Sequence, residues 1–164
     1  FLLGTCYYEL IVDEKKDLSS LLNSKKYFDI VIKKYPNTDF ALDAKFKLDL
    51  IANILASKEI YIGKYYMSKK KWIPAINRFR NVVNNYEKTE YVEEAIHRLV
   101  EVNYMIGLEN EAKKYAALLG YNYQSSEWYK ESYRVFNKDY EDPKDKIKKN
   151  KQNVIIRNFK KLFK

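Results

Sequence analysis

The sequence is poor in the residues on which several structural classes depend. Its 164 residues include one cysteine, four glycines and three prolines. A single cysteine cannot build a disulfide framework within the chain or supply the thiolate set of a structural zinc site. So few glycines and prolines provide little turn material for a fold made of many short strands. No apolar run approaches the roughly 20 residues that a membrane-spanning helix needs.

The sequence also lacks the patterns that carry common enzyme chemistry. It has no glycine-rich phosphate loop, and its carboxylates are scattered rather than grouped. His97, the single histidine, stands beside Arg98 in an amphipathic segment, and no spacing directs a serine and an acid toward it. We therefore expect no catalytic residue, no metal site and no cofactor. We interpret His97 as a structural or surface residue of a binding scaffold.

One short phrase occurs three times. Residues 35–40 read Tyr-Pro-Asn-Thr-Asp-Phe, residues 86–91 read Tyr-Glu-Lys-Thr-Glu-Tyr, and residues 123–128 read Tyr-Gln-Ser-Ser-Glu-Trp. The phrases begin 51 and then 37 residues apart. The second interval is close to the roughly 34 residues of a tetratricopeptide unit, and the first contains about four helical turns more. The recurrence indicates a helical repeat protein.

Each phrase suits the joint between two helices. Thr38, Thr89 and Ser126 are good N-caps, because a hydroxyl oxygen can accept a hydrogen bond from a free backbone N–H of the next helix. Gly107 and Gly120 are suitable helix ends. We predict helices over residues 1–12, 18–34, 39 to the break at 68–71, 72–86, 90–106, 109–119 and 127–137.

Small residues recur where neighbouring helices would pack closely. Alanine followed four residues later by a larger side chain places both on one helix face, as at Ala75 and Phe79. The residues predicted to pack the repeats are Gly63, Tyr66, Ala75, Phe79, Ala95 and Ala112. The predicted fold is an all-α tetratricopeptide superhelix of antiparallel helix pairs, with one extra-long helix and a basic C-terminal tail. We expect residues 1–140 to be the C-terminal repeats of a larger protein.

The long third helix is apolar on two sides. One side can pack into the repeats, and the other is covered either by adjacent repeats or by a partner. Its length favours a partner near the middle, because neighbours of ordinary length cannot cover all of it. The candidate partner-binding residues share this second side: Phe46, Leu50, Asn53, Ile54, Ser57, Lys58 and Tyr61.

Residues 141–164 form a basic tail that we expect to be partly an amphipathic helix or disordered. Residues 143–164 include nine Lys or Arg and one Asp, whereas the whole chain has a net charge of +9. A candidate surface for a membrane or a partner combines basic and aromatic residues: Arg157, Phe159, Lys160, Lys161 and Phe163. A solvated end is the alternative interpretation. The nearly neutral, tyrosine-rich body argues against a nucleic-acid partner.

Several stretches in order along the chain resemble one family. They include residues 58–83, with Trp72 and the run Ala75-Ile76-Asn77-Arg78-Phe79-Arg80, then residues 94–101 and residues 119–129. They are similar to the α-proteobacterial members of the BamD family, the lipid-anchored tetratricopeptide component of the outer-membrane β-barrel assembly machinery. The resemblance covers about residues 1–136 and leaves the tail outside.

The resemblance implies a non-enzymatic scaffold at the periplasmic face of the outer membrane of a Gram-negative bacterium. It implies docking to a POTRA domain of a BamA-like barrel subunit and support for the insertion of β-barrel proteins. Other accessory lipoproteins and unfolded outer-membrane proteins are further implied partners. The implied membrane anchor is an N-terminal lipidated cysteine that we expect to lie outside this chain, and we interpret Cys6 as a packed helical residue.

A peptide-binding tetratricopeptide adaptor of the cell envelope is the alternative function. Such an adaptor would hold an extended segment in its concave groove. It would need Asn and Lys side chains that clamp a carboxylate, and the first helices of the pairs contain no consistent set of them.

Overall fold

The computed structural model describes residues 1–10 and 18–138. Within these residues the chain forms helices and no strand, which confirms the all-α prediction. The helices are α1 Leu2–Glu9, α2 Ser19–Lys34, α3 Asp39–Ser68, α4 Trp72–Asn85, α5 Val92–Met105, α6 Glu109–Asn122 and α7 Glu127–Phe136. The predicted end of the first helix and the tail surface at Arg157, Phe159, Lys160, Lys161 and Phe163 lie outside the described residues.

Two of the three repeated phrases cap the next helix with a side chain. The Thr38 hydroxyl accepts from the Ala41 N–H at 3.3 Å, and the Ser126 hydroxyl accepts from the Trp128 N–H at 3.2 Å. The prediction for Thr89 is wrong. Its hydroxyl donates to the carbonyl of Tyr86 at 2.7 Å, and α5 begins only at Val92. The Thr38 hydroxyl donates in the same way to the carbonyl of Tyr35 at 2.8 Å and still caps α3, so the difference at Thr89 is that α5 begins three residues after it.

The two glycines predicted to end helices behave differently. Gly107 follows α5 with a φ of +82°, the left-handed conformation that favours glycine. Gly120 lies inside α6, which continues to Asn122, so the prediction that it ends the helix is wrong. A Cβ at Gly120 would lie 2.9 Å from Cε2 of Tyr129, so the missing side chain makes room for α7.

Glycines also allow close approach in the earlier helix pairs. Gly4 of α1 faces the ring of Phe28 in α2, and Gly63 of α3 faces the ring of Phe79 in α4. The predicted packing residues Ala75, Ala95 and Ala112 are fully buried, and Tyr66 packs partly buried against the cluster that holds Phe79. The two helices of each of these pairs therefore meet where a glycine leaves room for an aromatic ring.

Two hydrophobic clusters lie in succession along α3. The proximal core contains Leu21, Phe28, Val31, Ala41, Ala44, Ile51 and Leu55. The central core contains Ala56, Ile60, Ala75, Ile76, Phe79, Val82, Ala95, Leu99 and Val102. The first half of α3 thus packs into one repeat and the second half into the next, which accounts for its 30 residues. Tyr86 packs against both clusters and connects them.

Cys6 lies in α1 as expected, but its side chain is exposed. The interpretation of Cys6 as a packed residue is therefore wrong. Gly4, two residues earlier, is the residue of α1 that faces α2, and it leaves Cys6 turned away from that contact.

Candidate functional site: the exposed stripe of the long helix

One side of α3 is left uncovered by the helices that pack on it. Phe46 is 62% exposed, Tyr61 is 60% exposed and Leu50 is 37% exposed. Helix α2 covers the first half of α3 and α4 covers the second half, both from the side of the two cores. Large apolar side chains in a row on a helix surface are the usual composition of a docking site for another protein.

The row of exposed apolar residues extends beyond the candidate partner-binding residues. Leu42, four residues before Phe46, and Tyr65, four residues after Tyr61, are also exposed. Helical spacing already places Tyr65 on this side of α3, and because residues four apart lie on the same helix face, it could also have identified Leu42. We call Leu42, Phe46, Leu50, Tyr61 and Tyr65 the α3 stripe.

The other candidate residues lie deeper than the stripe. Ile54 is partly buried and packs against the proximal core. Ser57 and Lys58 are half-buried. The structure therefore divides the seven candidates into three that are open to a partner and four, including Asn53, that are partly used within the fold.

Asn53 has a defined structural contact that the sequence did not indicate. Its Nδ2 donates to the carbonyl of Asp49 at 3.0 Å, and its Oδ1 accepts from the backbone N–H of Glu90 at 3.3 Å. The side chain thereby links the middle of α3 to the joint at residues 86–91. This link aligns α5 beside α3.

Charged residues near the stripe are joined in ion pairs. Lys47 lies 3.8 Å from Asp43, and Lys64 lies 3.1 Å from Glu94. These pairs are partly exposed, so they add little to stability but provide a polar rim around the apolar residues.

A depression of about 450 Å³ lies between α3 and α4. Its lining residues are Glu59, Tyr66, Pro74, Asn77, Arg78 and Asn81. Arg78 donates to both carboxylate oxygens of Glu59, at 3.1 and 3.3 Å. Its charge is already matched within the protein, which gives no support to a clamp for the carboxylate of a peptide.

A polar cluster around His97 joins α5 to α7. His97 Nδ1 lies 2.9 Å from the Ser132 hydroxyl, and that hydroxyl donates to the carbonyl of Trp128 at 2.8 Å. The His97 and Trp128 rings lie 5.1 Å apart, and the Arg98 guanidinium lies over the Trp128 ring. His97 and Ser132 are both buried, so the cluster is a contact between helices. Sequence spacing missed it, because 35 residues separate its two halves.

Glu101 completes this cluster on the α5 side. Its carboxylate lies 3.6 Å from His97 Nε2 and accepts from Arg98 at 2.6 Å. Burial by itself raises the pKa of Glu101, but the hydrogen bonds from His97 and Arg98 outweigh it and hold the pKa below its ordinary value. Glu101 is therefore ionised at neutral pH and accepts hydrogen bonds from the donors around it.

Residues 1–10 and 18–138 contain neither a metal-binding group nor a membrane-spanning helix. There, no three or more His, Cys, Asp or Glu side chains come together in a group that could hold a metal ion. None of the helices over residues 1–10 and 18–138 combines the length and the apolar character needed to cross a bilayer.

Comparison with known proteins identifies the family. Residues 1–119 match the model of the YfiO family, described as outer membrane lipoproteins. The outer membrane protein assembly factor BamD of Rickettsia prowazekii is 46% identical over 142 residues, which are 87% of this chain and 56% of that protein. The factor of the same name from Caulobacter vibrioides is 39% identical over 137 residues, which are 84% of this chain and 45% of that protein.

The chain spans about half the length of these relatives. The family match covers α1 to α5 and most of α6, and therefore includes both cores and the whole α3 stripe. The resemblance seen in the sequence is thereby confirmed. The chain belongs to the YfiO (BamD) family of outer membrane lipoproteins.

Proposed function

We propose that this chain is part of an outer membrane protein assembly factor and acts there as a non-enzymatic scaffold. Its relatives from Rickettsia prowazekii and Caulobacter vibrioides carry that description. The protein would work at the periplasmic face of the outer membrane of a Gram-negative bacterium and support the insertion of β-barrel proteins. Its membrane association would come from an N-terminal lipid anchor.

The α3 stripe is the proposed docking site for a POTRA domain of a BamA-like barrel subunit. The observation that carries this proposal is the exposure of Phe46, Leu50 and Tyr61 on a helix whose other side packs into the two cores. An apolar centre with an ion-paired rim is the arrangement that protein interfaces favour. Aromatic residues are also over-represented among the residues that dominate binding energy.

The half-buried candidates have a supporting role in this proposal. Asn53, Ile54, Ser57 and Lys58 lie between the two exposed parts of the stripe and would form the floor of the interface. Because Asn53 also holds the joint before α5, docking on α3 is connected to the position of the following repeat. Other accessory lipoproteins and unfolded outer-membrane proteins are further proposed partners.

The test is a binding titration of the full protein against the isolated POTRA domains of the barrel subunit. The double variant Phe46→Asp/Leu50→Asp is expected to weaken binding by ~2 kcal/mol or more, about thirtyfold, because it places charge at the centre of the interface. Leu22→Asp is the matched control, because Leu22 is a similarly exposed apolar residue on α2. Unchanged binding by the double variant, or an equal loss with Leu22→Asp, would place the docking site elsewhere.

A further inference from the structure

The short turns within the helix pairs lie on one side of the repeat stack. Helix α3 turns into α4 over residues 69–71, and α5 turns into α6 over residues 106–108. Helices joined by such short turns run antiparallel, so the C-terminal ends of α3, α5 and α7 point the same way. Tyr104 near the end of α5 contacts Phe136 at the end of α7, with ring centroids 5.4 Å apart. We call this end of the stack the turn side.

The turn side has a concentrated positive charge. Lys69, Lys70 and Lys71 are consecutive and exposed, and no ion pair joins them to other described residues. Lys70 has a φ of +55°, which few non-glycine residues adopt, so the turn has a defined shape. No acidic residue occurs between Glu59 and Glu87, whereas six Lys or Arg do. The local field at this turn is therefore positive.

Exposed apolar side chains lie beside this charge on the turn side. Ile73 is 65% exposed and Met105 is 61% exposed, and Leu108 is exposed as well. Two acidic residues begin α6 on the same side, but each is matched by a lysine. Glu109 lies 3.9 Å from Lys113, and Glu111 lies 2.5 Å from Lys114. At the two turns that the structure describes, lysines without an acidic partner therefore lie beside separate exposed apolar residues.

Helix α7 also ends on the turn side. Its last residue is Phe136, whose contact with Tyr104 fixes that end beside the turn between α5 and α6. Residues 137–142, which come next in the sequence, include one lysine and three acidic residues, and the nine Lys or Arg and one Asp of the tail follow over residues 143–164.

We propose that the turn side rests on an anionic lipid surface. Lysines near such a surface are attracted by about 1 kcal/mol each, and apolar side chains at turn tips can enter the headgroup region. Protein interfaces are depleted in lysine, which argues for lipid over an acidic protein partner. Lysine stems can also lie along apolar surface while the ammonium groups reach phosphates.

The first test measures binding of the full chain to vesicles of phosphatidylcholine with and without phosphatidylglycerol. The triple variant Lys69→Gln/Lys70→Asn/Lys71→Gln keeps polar side chains and places asparagine, which tolerates positive φ, at position 70. We expect it to weaken partitioning onto anionic vesicles by about a hundredfold, from three lysines at about 1 kcal/mol each. The control Lys33→Gln/Lys34→Gln/Lys88→Gln removes the same charge from exposed lysines on the opposite side and should have a much smaller effect.

The second test locates the contact without relying on charge. In a Cys6→Ser background, Ile73→Cys and Lys88→Cys are each labelled with an environment-sensitive dye. Addition of anionic vesicles should shift the emission of the label at position 73 to the blue and leave the label at position 88 unchanged.

Equal loss of binding in the two triple variants, or no blue shift at position 73, would overturn the proposal and leave the tail alone as the source of attraction. Absence of binding to anionic vesicles would also overturn the proposal and would indicate that the turn side binds a protein instead.

Discussion

Gly63 lies directly against the ring of Phe79, at the contact between α3 and α4. A Cβ on Gly63 would lie 2.7 Å from Cζ and 2.9 Å from Cδ1 of Phe79, and closer still to Cε1. Phe79 is fully buried in the central core, so its ring has little freedom to move away. The first helix of this pair therefore has to carry glycine at that position.

The substitution Gly63→Ala should lower the free energy of unfolding by ~1 to 3 kcal/mol through overpacking. This loss would occur although alanine is the better helix former by about 1 kcal/mol. Chemical denaturation measures the change. Adding Phe79→Leu should recover part of the loss, because the shorter side chain makes room for the new methyl group. A stabilised Gly63→Ala variant would mean that the ring can shift at little cost.

The contact between α5 and α7 should depend on Ser132. The substitution Ser132→Ala removes the hydroxyl beside His97 Nδ1 and leaves a buried polar group without its partner, which costs ~1 to 3 kcal/mol. Hydrogen exchange should become faster in residues 127–136 while α3 and α4 keep their protection. Ser125→Ala, at an exposed serine just before α7, is the control and should leave exchange in that helix unchanged.

Acid should weaken the same contact through Glu101. The pKa of Glu101 is lower in the folded chain than its ordinary value of 4.5, so ionisation favours the folded state. This stabilisation is complete above the unfolded-state pKa and is lost as the pH falls through the lower folded-state value. Melting temperatures measured from pH 7 to pH 3 should therefore fall less steeply for Glu101→Gln than for the unmodified chain. Parallel profiles would show that Glu101 does not contribute.

Substitution by aspartate should lower the melting temperature at Ile54 but not at Phe46. Ile54 packs against the proximal core, so Ile54→Asp places a charge where apolar contacts are lost and should lower the melting temperature. Phe46 is exposed, so Phe46→Asp should leave the melting temperature nearly unchanged. A Phe46→Asp variant that melts as early as Ile54→Asp would show that the stripe is part of the packed structure.

Local sequence patterns determined most of the helical architecture. Recurrent phrases, caps and breaks depend on interactions between residues a few positions apart, so they identified the seven helices of residues 1–10 and 18–138 and the unusual length of α3. The two errors at helix ends, at Thr89 and Gly120, have different causes. At Thr89 the turn continues to Tyr91 before α5 begins, and at Gly120 the absent side chain accommodates Tyr129 of the next helix. Residue type alone does not distinguish these uses from capping and termination.

Which side chains are exposed was decided by the tertiary structure. A helical wheel placed Phe46 and Ile54 on the same side of α3, but only the packing of the proximal core separates an exposed residue from a partly buried one. Likewise, His97 and Ser132 meet only because α6 returns the chain to place α7 beside α5. Periodicity specifies which residues share a helix face. Which face another helix covers depends on contacts between residues far apart in the chain, and these exist only once the repeats have packed together.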